Sequence, residues 1–134
     1  MTDKDRNLKP RQTEQQVLGT LLVSSGTKLV LVDDILNLNS FSNEYHKNIY
    51  KWIVSRFSEG QPADVVSLVD SVGSKTINNF GGITYVCGLG DDTIVSDQQL
   101  RKFAERIVSF NRLRQLELSA QQILGHLDDL TLPP

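Results

Sequence analysis

Residues 97–127 read DQQLRKFAERIVSFNRLRQLELSAQQILGHL, and the architecture of the chain follows from them. The stretch contains no proline, and its one glycine is Gly125. Its apolar residues recur at steps of three or four positions, which is the spacing of a helix seam. The residues of this seam are Leu100, Phe103, Ile107, Phe110, Leu113, Leu116, Ala120, Ile123 and Leu127. We therefore predict one uninterrupted helix, capped by Asp97 and on the order of 45 Å long at about 1.5 Å per residue.

A helix of this length is longer than the head to which it belongs. A domain of 134 residues is about 30 Å across, so the helix has to project. The outer half of the seam then forms an apolar stripe that the head cannot cover, and another helix has to cover it. The alternative is a helix broken near 112–114, with both halves packed on the head.

The rest of the chain predicts an all-α fold, a compact bundle of about six short helices from which the long helix projects. Periodic apolar positions predict five of these helices, at 10–23, 28–38, 43–60, 64–73 and about 83–89. Pro10 suits a first helical turn, and Asn43 and Asp64 are good N-caps. Four consecutive apolar residues within 28–38 also fit a buried strand, but the longer pattern favours a helix.

These elements predict a simple organisation along the chain. A flexible polar arm at residues 1–9 precedes a helical head at 10–95. The long helix occupies 96–127, and residues 128–134 begin a linker or a truncated tail.

The composition is that of one ordinary globular domain with a slight negative charge. The chain has 39% hydrophobic and 22% charged residues. No apolar run approaches the roughly 20 residues that span a bilayer, so we expect no membrane contact. The single cysteine, Cys87, excludes an internal disulfide and suits a cytoplasmic protein. The net charge of −2 argues against dedicated binding of duplex DNA, which depends on Lys and Arg.

No stretch of the sequence meets the requirements of a nucleotide site. Gly73-Ser74-Lys75-Thr76 looks like part of a phosphate-binding loop, but Ser74 stands where that loop needs a glycine, and the upstream glycine is missing. Gly88-Leu89-Gly90 lacks the third glycine and the preceding strand of a dinucleotide fingerprint. We interpret the first segment as a helix end and the second as a turn.

Metal binding and catalysis have no better support. A zinc site needs about four ligands at short paired spacings, whereas His46, Cys87 and His126 are scattered. His46 is predicted to be a partly exposed structural residue on a helix flank, and Cys87 a small core residue. Adjacent carboxylates on a helix point about 100° apart, so we interpret such pairs as solvated faces or caps. The pairs are Asp33-Asp34, Asp91-Asp92 and Asp128-Asp129.

A basic cluster accompanies the long helix. It consists of Arg101, Lys102, Arg106, Arg112 and Arg114. One interpretation is a solvated flank that keeps the helix soluble. The other is a charged rim around an apolar contact stripe, which would help to select partners.

At five places in the correct order, the sequence resembles the N-terminal domain of DnaB-type replicative DNA helicases, from Pro10 to about Leu127. The matching segments are Pro10, Glu14, Val17-Leu18-Gly19 and Leu21-Leu22; Phe41 with His46 and Ile49-Tyr50; Gly60-Gln61-Pro62-Ala63-Asp64; Gly81-Gly82-Ile83-Thr84-Tyr85-Val86; and Ala104-Glu105-Arg106-Ile107-Val108 with Leu113-Arg114 and Leu116. One departure is Ser109-Phe110-Asn111, where the family has a lysine or arginine. The divergence suits a phage or plasmid helicase.

The resemblance implies a helical head with a projecting hairpin, of which 96–127 is the first arm. In this family the hairpins pair into dimers, and three dimers form a collar above a hexameric motor. The collar contributes to contacts with primase and with helicase loaders. The family's second hairpin helix, linker helix and RecA-like motor have no counterpart in these residues.

The resemblance also implies where partners and cofactors bind. The expected subunit or partner surface is Phe103, Ile107, Phe110, Leu113, Leu116, Ala120, Ile123 and Leu127, of which the first three anchor the head end of the helix. The domain itself is expected to have no catalytic residues and little or no direct contact with DNA. ATP and Mg are expected only in the motor of the parent helicase.

Other functions stay open from the sequence alone. A free-standing mimic of the helicase domain would regulate a host helicase, primase or loader. A small helix-turn-helix regulator of transcription would bind duplex DNA in a salt-sensitive manner. No motif in the sequence supports a hydrolase.

Overall fold

The computed structural model describes residues 10–91, 93–94 and 96–131, with side chains as far as residue 125. All the regular structure in these ranges is helical, which confirms the predicted all-α fold. The α-helices are α1 (Pro10–Val23), α2 (Glu44–Ser58), α3 (Val65–Thr76), α4 (Ile83–Gly88) and α5 (Asp97–Thr131). Short 3₁₀ helices lie at Thr27–Leu31, Leu38–Ser40, Ile77–Phe80 and Leu89–Asp91. None of the helices in the described part is long and apolar enough to cross a membrane.

The ends of α2 follow the sequence signals. Asn43 Oδ1 accepts hydrogen bonds from the backbone N–H groups of Tyr45 and His46, which confirms the predicted N-cap. At the other end Gly60 has a φ of 70°, and its N–H donates to the carbonyl of Phe57. This left-handed conformation suits glycine and satisfies a carbonyl at the helix end.

The helix predicted at 28–38 is wrong in type. The segment begins as the 3₁₀ helix Thr27–Leu31, and hydrogen bonds between residues three apart continue as far as Ile35. The residues that these tight turns carry into the core are Leu29, Val32 and Leu36. Apolar residues three and four apart therefore point inward from successive tight turns as well as from an α-helix, and periodicity alone does not separate the two.

Both ends of α5 differ from the prediction. Ser96, rather than Asp97, is the cap, because its Oγ accepts a hydrogen bond from the N–H of Gln99. Asp97 is the first helical residue. The helix then runs to Thr131, so 128–131 are helical where a linker was expected. The predicted arm at 1–9 and the last three residues lie outside the described residues.

The first helix is the centre of the head, and it packs against α2, α5 and the 3₁₀ helix Leu89–Asp91. Its apolar side chains are at most 1% exposed: Val17, Leu18, Leu21 and Leu22. Burying side chains of this size stabilises the fold by about 1.5–3 kcal/mol each. Gly19 lets the backbone of Leu89 approach α1, since a Cβ at Gly19 would lie 1.9 Å from the Leu89 carbonyl oxygen.

Candidate functional site

The long helix α5 passes from the core of the head into solvent. Its base carries Leu100, Phe103, Ala104 and Ile107, each at most 1% exposed. From 112 to 125 every side chain is exposed, although the helix continues without a break. The predicted projection is therefore confirmed, and the alternative of a helix broken near 112–114 is wrong. We call residues 112–131 the arm.

Five apolar residues among the described side chains of the arm, 112–125, share one face of the helix. They are Leu113, Leu116, Ala120, Ile123 and Leu124, and we call them the arm stripe. At 3.6 residues per turn they lie within an arc of about 100°. Their four large side chains are 61% to 63% exposed. Leu118, the remaining large apolar residue among the described side chains of the arm, is 43% exposed and lies on the opposite side.

The seam turns around α5 between the head and the arm. Ile107, Phe110, Leu113 and Leu116 follow one another at steps of three residues. Each step falls about 60° short of a full helical turn, so the seam swings by about 180° from Ile107 to Leu116. The arm stripe therefore faces away from the side by which α5 packs on the head.

Polar contacts fix the base of α5 to the head. Lys28 Nζ lies 3.1 Å from Asp97 Oδ1. Arg101 Nη1 donates to the Leu31 carbonyl at 2.6 Å and to Asp34 Oδ1 at 3.1 Å. The hydrogen bonds from Arg101 hold the pKa of the Asp34 carboxyl below its ordinary value, and Asp34 raises the pKa of the guanidinium. Exposed ion pairs of this kind stabilise a fold only weakly.

The other members of the basic cluster are placed differently. The guanidinium of Arg106 lies over the ring of Phe103, 5.0 Å from its centroid. Lys102, Arg112 and Arg114 are exposed. Since Arg112 and Arg114 lie on either side of the arm stripe, the interpretation as a charged rim stays a prediction for these two residues.

A cleft of about 330 Å³ lies where the arm leaves the head. We call it the neck cleft. The residues that line it are Pro10, Glu14, Ser40, Ser42, Phe110, Asn111, Leu113, Arg114 and Glu117. It brings the start of α1 and the loop before α2 together with the first turn of the arm stripe.

A chain of hydrogen bonds runs from this cleft through the head. Glu14 Oε2 accepts from Ser42 Oγ at 2.7 Å and from the Ser42 N–H at 3.2 Å. Glu14 Oε1 lies 2.8 Å from His46 Nδ1, and His46 Nε2 lies 2.5 Å from the Tyr85 hydroxyl. That hydroxyl also accepts from Gln15 Nε2 at 3.0 Å. The chain joins α1, α2 and α4.

The burial of His46 corrects the prediction from the sequence. Its side chain is fully buried rather than partly exposed, because Glu14 and Tyr85 satisfy both of its ring nitrogens. Burial raises the pKa of Glu14, but hydrogen bonds from His46 and Ser42 lower it further, so the pKa lies below its ordinary value. Both Glu14 and His46 belong to the segments of the family resemblance, which is the one signal that marked them.

The predicted partner surface divides into parts. Phe103 and Ile107 belong to the core of the head, so they anchor α5 and offer no surface to a partner. Phe110 is half-buried at the neck cleft. The four positions from Leu113 to Ile123 are exposed on the arm stripe. The side chain of Leu127 lies outside the described residues.

The remaining candidates for chemistry occupy structural positions. Gly73 interrupts α3 with a φ of 77°, and one helical turn follows it as far as Thr76. Gly88 ends α4 and Gly90 lies in the next 3₁₀ helix, as expected of a connection between helices. Cys87 is exposed, so its prediction as a core residue is wrong. Among the described side chains, no group of His, Cys, Asp and Glu is arranged to hold a metal ion.

Comparison with known proteins places this architecture in a family. Residues 7–109 match the family model of the DnaB-like helicase N-terminal domain. The chain belongs to this family. The matched range covers the head and the base of α5 and ends just before the arm. A search of curated proteins finds no match.

Two solved structures resemble this DnaB-like domain. One is the N-terminal domain of the DnaB helicase from Mycobacterium tuberculosis, with a TM-score of 0.73 and 24% identity over 84% of this chain and 81% of that one. The other is a DnaB-like replicative helicase studied with its interactions with primase, with a TM-score of 0.66 and 26% identity. That match covers 87% of this chain but 27% of the helicase. A DnaB N-terminal domain is a non-catalytic part of a replicative helicase.

Proposed function

We propose that this DnaB-type domain assembles helicase subunits and docks replication partners through its arm. The observation that carries the proposal is the arm stripe, whose four large side chains are 61% to 63% exposed. A contiguous apolar face on a soluble domain marks an interaction site. Burying side chains of this kind stabilises a contact by about 1.5–3 kcal/mol each before the costs of association are subtracted.

The first proposed partner is a second copy of the domain, one helix of which would pack along the arm stripe. Beyond Leu113, which lines the neck cleft, the stripe faces away from the head, so a covering helix has room to approach it. Pairing of this kind fits a trimer of dimers in a hexameric helicase, and Arg112 and Arg114 at the stripe's edges would select the register of the pair.

Primase and a helicase loader are the other proposed partners. Support for primase comes from the related DnaB-like replicative helicase, whose structure is described together with its interactions with primase. The net charge of −2 supports docking of proteins rather than direct binding of duplex DNA. We expect neither ATP nor Mg to bind this domain, since both belong to the motor of the parent helicase.

A pair of matched variants tests the assembly role. Leu116→Glu places a charge in the arm stripe, and Leu118→Glu places the same charge on the opposite side of the same helix. Sedimentation velocity over a concentration series should show self-association of the natural chain and of Leu118→Glu. Leu116→Glu should weaken it at least about tenfold, which corresponds to about 1.4 kcal/mol. Equal association of the two variants would sink the proposal.

Partner docking needs its own assay. Immobilised cognate primase should retain the natural chain and Leu118→Glu. It should retain less of Leu116→Glu, because that variant disrupts the arm stripe. If neither the primase nor the loader retains any form of the chain, the function is limited to assembly.

A further inference from the structure

The buried hydrogen-bond chain connects two separate surface clefts. At one end, Glu14 and Ser42 line the neck cleft at the base of the arm. At the other end, Gln15 and Tyr85 line a second cleft of about 360 Å³ between α1 and α4, together with Thr84. His46 lies between the two clefts and is fully buried.

The direction of the hydrogen bonds follows from the chemistry of the groups. A carboxylate only accepts, so His46 Nδ1 has to donate to Glu14. The other ring nitrogen, Nε2, bonds the Tyr85 hydroxyl, which donates to a neutral ring and accepts from a protonated one. The oxygen of Tyr85 in turn accepts from Gln15. Each group therefore polarises the next, and such chains are strengthened or weakened as a unit.

The Tyr85 hydroxyl lies at the far end of the chain of hydrogen bonds. In the structure the hydroxyl is bonded to His46. Its side chain is half-buried, and it lines the cleft between α1 and α4. Coupling between distant sites is carried by a group that has two arrangements.

We propose that the chain from Ser42 through Glu14 and His46 to Tyr85 couples the neck cleft to the cleft between α1 and α4. A partner group that draws the Ser42 hydroxyl or the Glu14 carboxylate into the neck cleft weakens the hold on Tyr85. Release of Tyr85 loosens α4 and reshapes the second cleft. The coupling acts in both directions, as thermodynamic linkage requires. It does not depend on which partner the arm binds.

A double-mutant cycle in the full chain tests the coupling. Ser42→Ala removes the hydroxyl that bonds Glu14, and Tyr85→Phe removes the hydroxyl at the far end. Ser40→Ala is the control, because Ser40 lines the same cleft but accepts its hydrogen bond from Asn37. Urea titration gives the unfolding equilibrium constant of each variant.

The cycle and one local measurement decide the outcome. In the double variant of Ser42→Ala and Tyr85→Phe, the change in the unfolding equilibrium constant should differ at least about threefold from the product of the two single changes. In the double variant of Ser40→Ala and Tyr85→Phe, it should agree with that product within about twofold. Hydrogen exchange of the α4 amides should become several-fold faster in Ser42→Ala than in Ser40→Ala. Multiplicative effects in both cycles, or equal α4 exchange in the two serine variants, would overturn the proposal.

Discussion

Ile107 and Leu116 belong to one apolar seam, yet they lie on opposite sides of α5. Ile107 is 1% exposed in the core of the head, and Leu116 is 61% exposed on the arm. The three successive steps of three residues between them turn the seam by about 180°. One helix therefore carries two apolar faces with separate tasks, and substitutions at the two residues should have separable effects.

The first prediction uses this pair. Ile107→Ala should lower the free energy of unfolding by about 2–5 kcal/mol, because it leaves a cavity in a packed core. Leu116→Ala should change it by no more than about 0.5 kcal/mol, because the side chain is largely in solvent. Urea denaturation at a concentration where the chain is monomeric measures both. A large loss of stability in Leu116→Ala would mean that the arm folds back onto the head.

Two helical glycines give the second prediction. Gly19→Ala should destabilise the head by more than about 2 kcal/mol. The new Cβ would meet the Leu89 carbonyl oxygen at 1.9 Å and force α1 away from the 3₁₀ helix Leu89–Asp91. Gly125→Ala is the matched control, since nothing lies within 4 Å of its Cβ position. It should stabilise α5 by about 0.5–1 kcal/mol through helix propensity alone. Thermal unfolding followed by circular dichroism compares the two, and the prediction fails if both variants shift the midpoint in the same direction.

The third prediction concerns the start of α2. Asn43→Ala removes the acceptor for two backbone N–H groups and should cost about 1 kcal/mol. Asn43→Asp keeps an acceptor at the same place and adds charge that suits a helix N-terminus, so it should retain or exceed the natural stability. Urea midpoints of the two variants at neutral pH measure the difference. Equal losses in both would show that the cap contributes nothing.

Features that depend on contacts within one segment could be predicted from the sequence. The apolar seam of residues 97–127 predicted the projecting helix, because a helix of that length is longer than the diameter of the head. Asn43 and Asp64 predicted the starts of two helices, because an N-cap is a hydrogen bond between near neighbours along the chain. The arm stripe followed from the same reasoning, because an apolar face that cannot reach the head stays exposed.

Features that depend on distant residues could not be predicted in this way. His46 lies on a mixed flank of its helix, and its burial follows from Glu14 and Tyr85, which are 32 and 39 residues away along the chain. The α-helix expected around Leu29 became tight turns, because three-residue spacing serves either geometry. Phe103 and Ile107 were expected to anchor the head end of the helix, and they do, but they were also included in the partner surface, because the sequence does not show which turn of the helix leaves the head.

The last prediction follows the pH dependence of Glu14. Its folded pKa lies below the ordinary value of 4.5, because hydrogen bonds from His46 and Ser42 outweigh the effect of burial. A depressed carboxyl pKa stabilises the fold fully above the unfolded value, and this stabilisation is lost as the pH falls through the folded pKa. Glu14→Gln should therefore cost on the order of 2 kcal/mol at pH 7, and the gap to the natural chain should narrow as the pH falls below about 4.5. Urea midpoints at pH 7, 5, 4 and 3 measure the gap, with Glu117→Gln on the exposed arm as the control that should stay near zero throughout. A gap of constant size across this range would show that Glu14 is held by packing rather than by its charge.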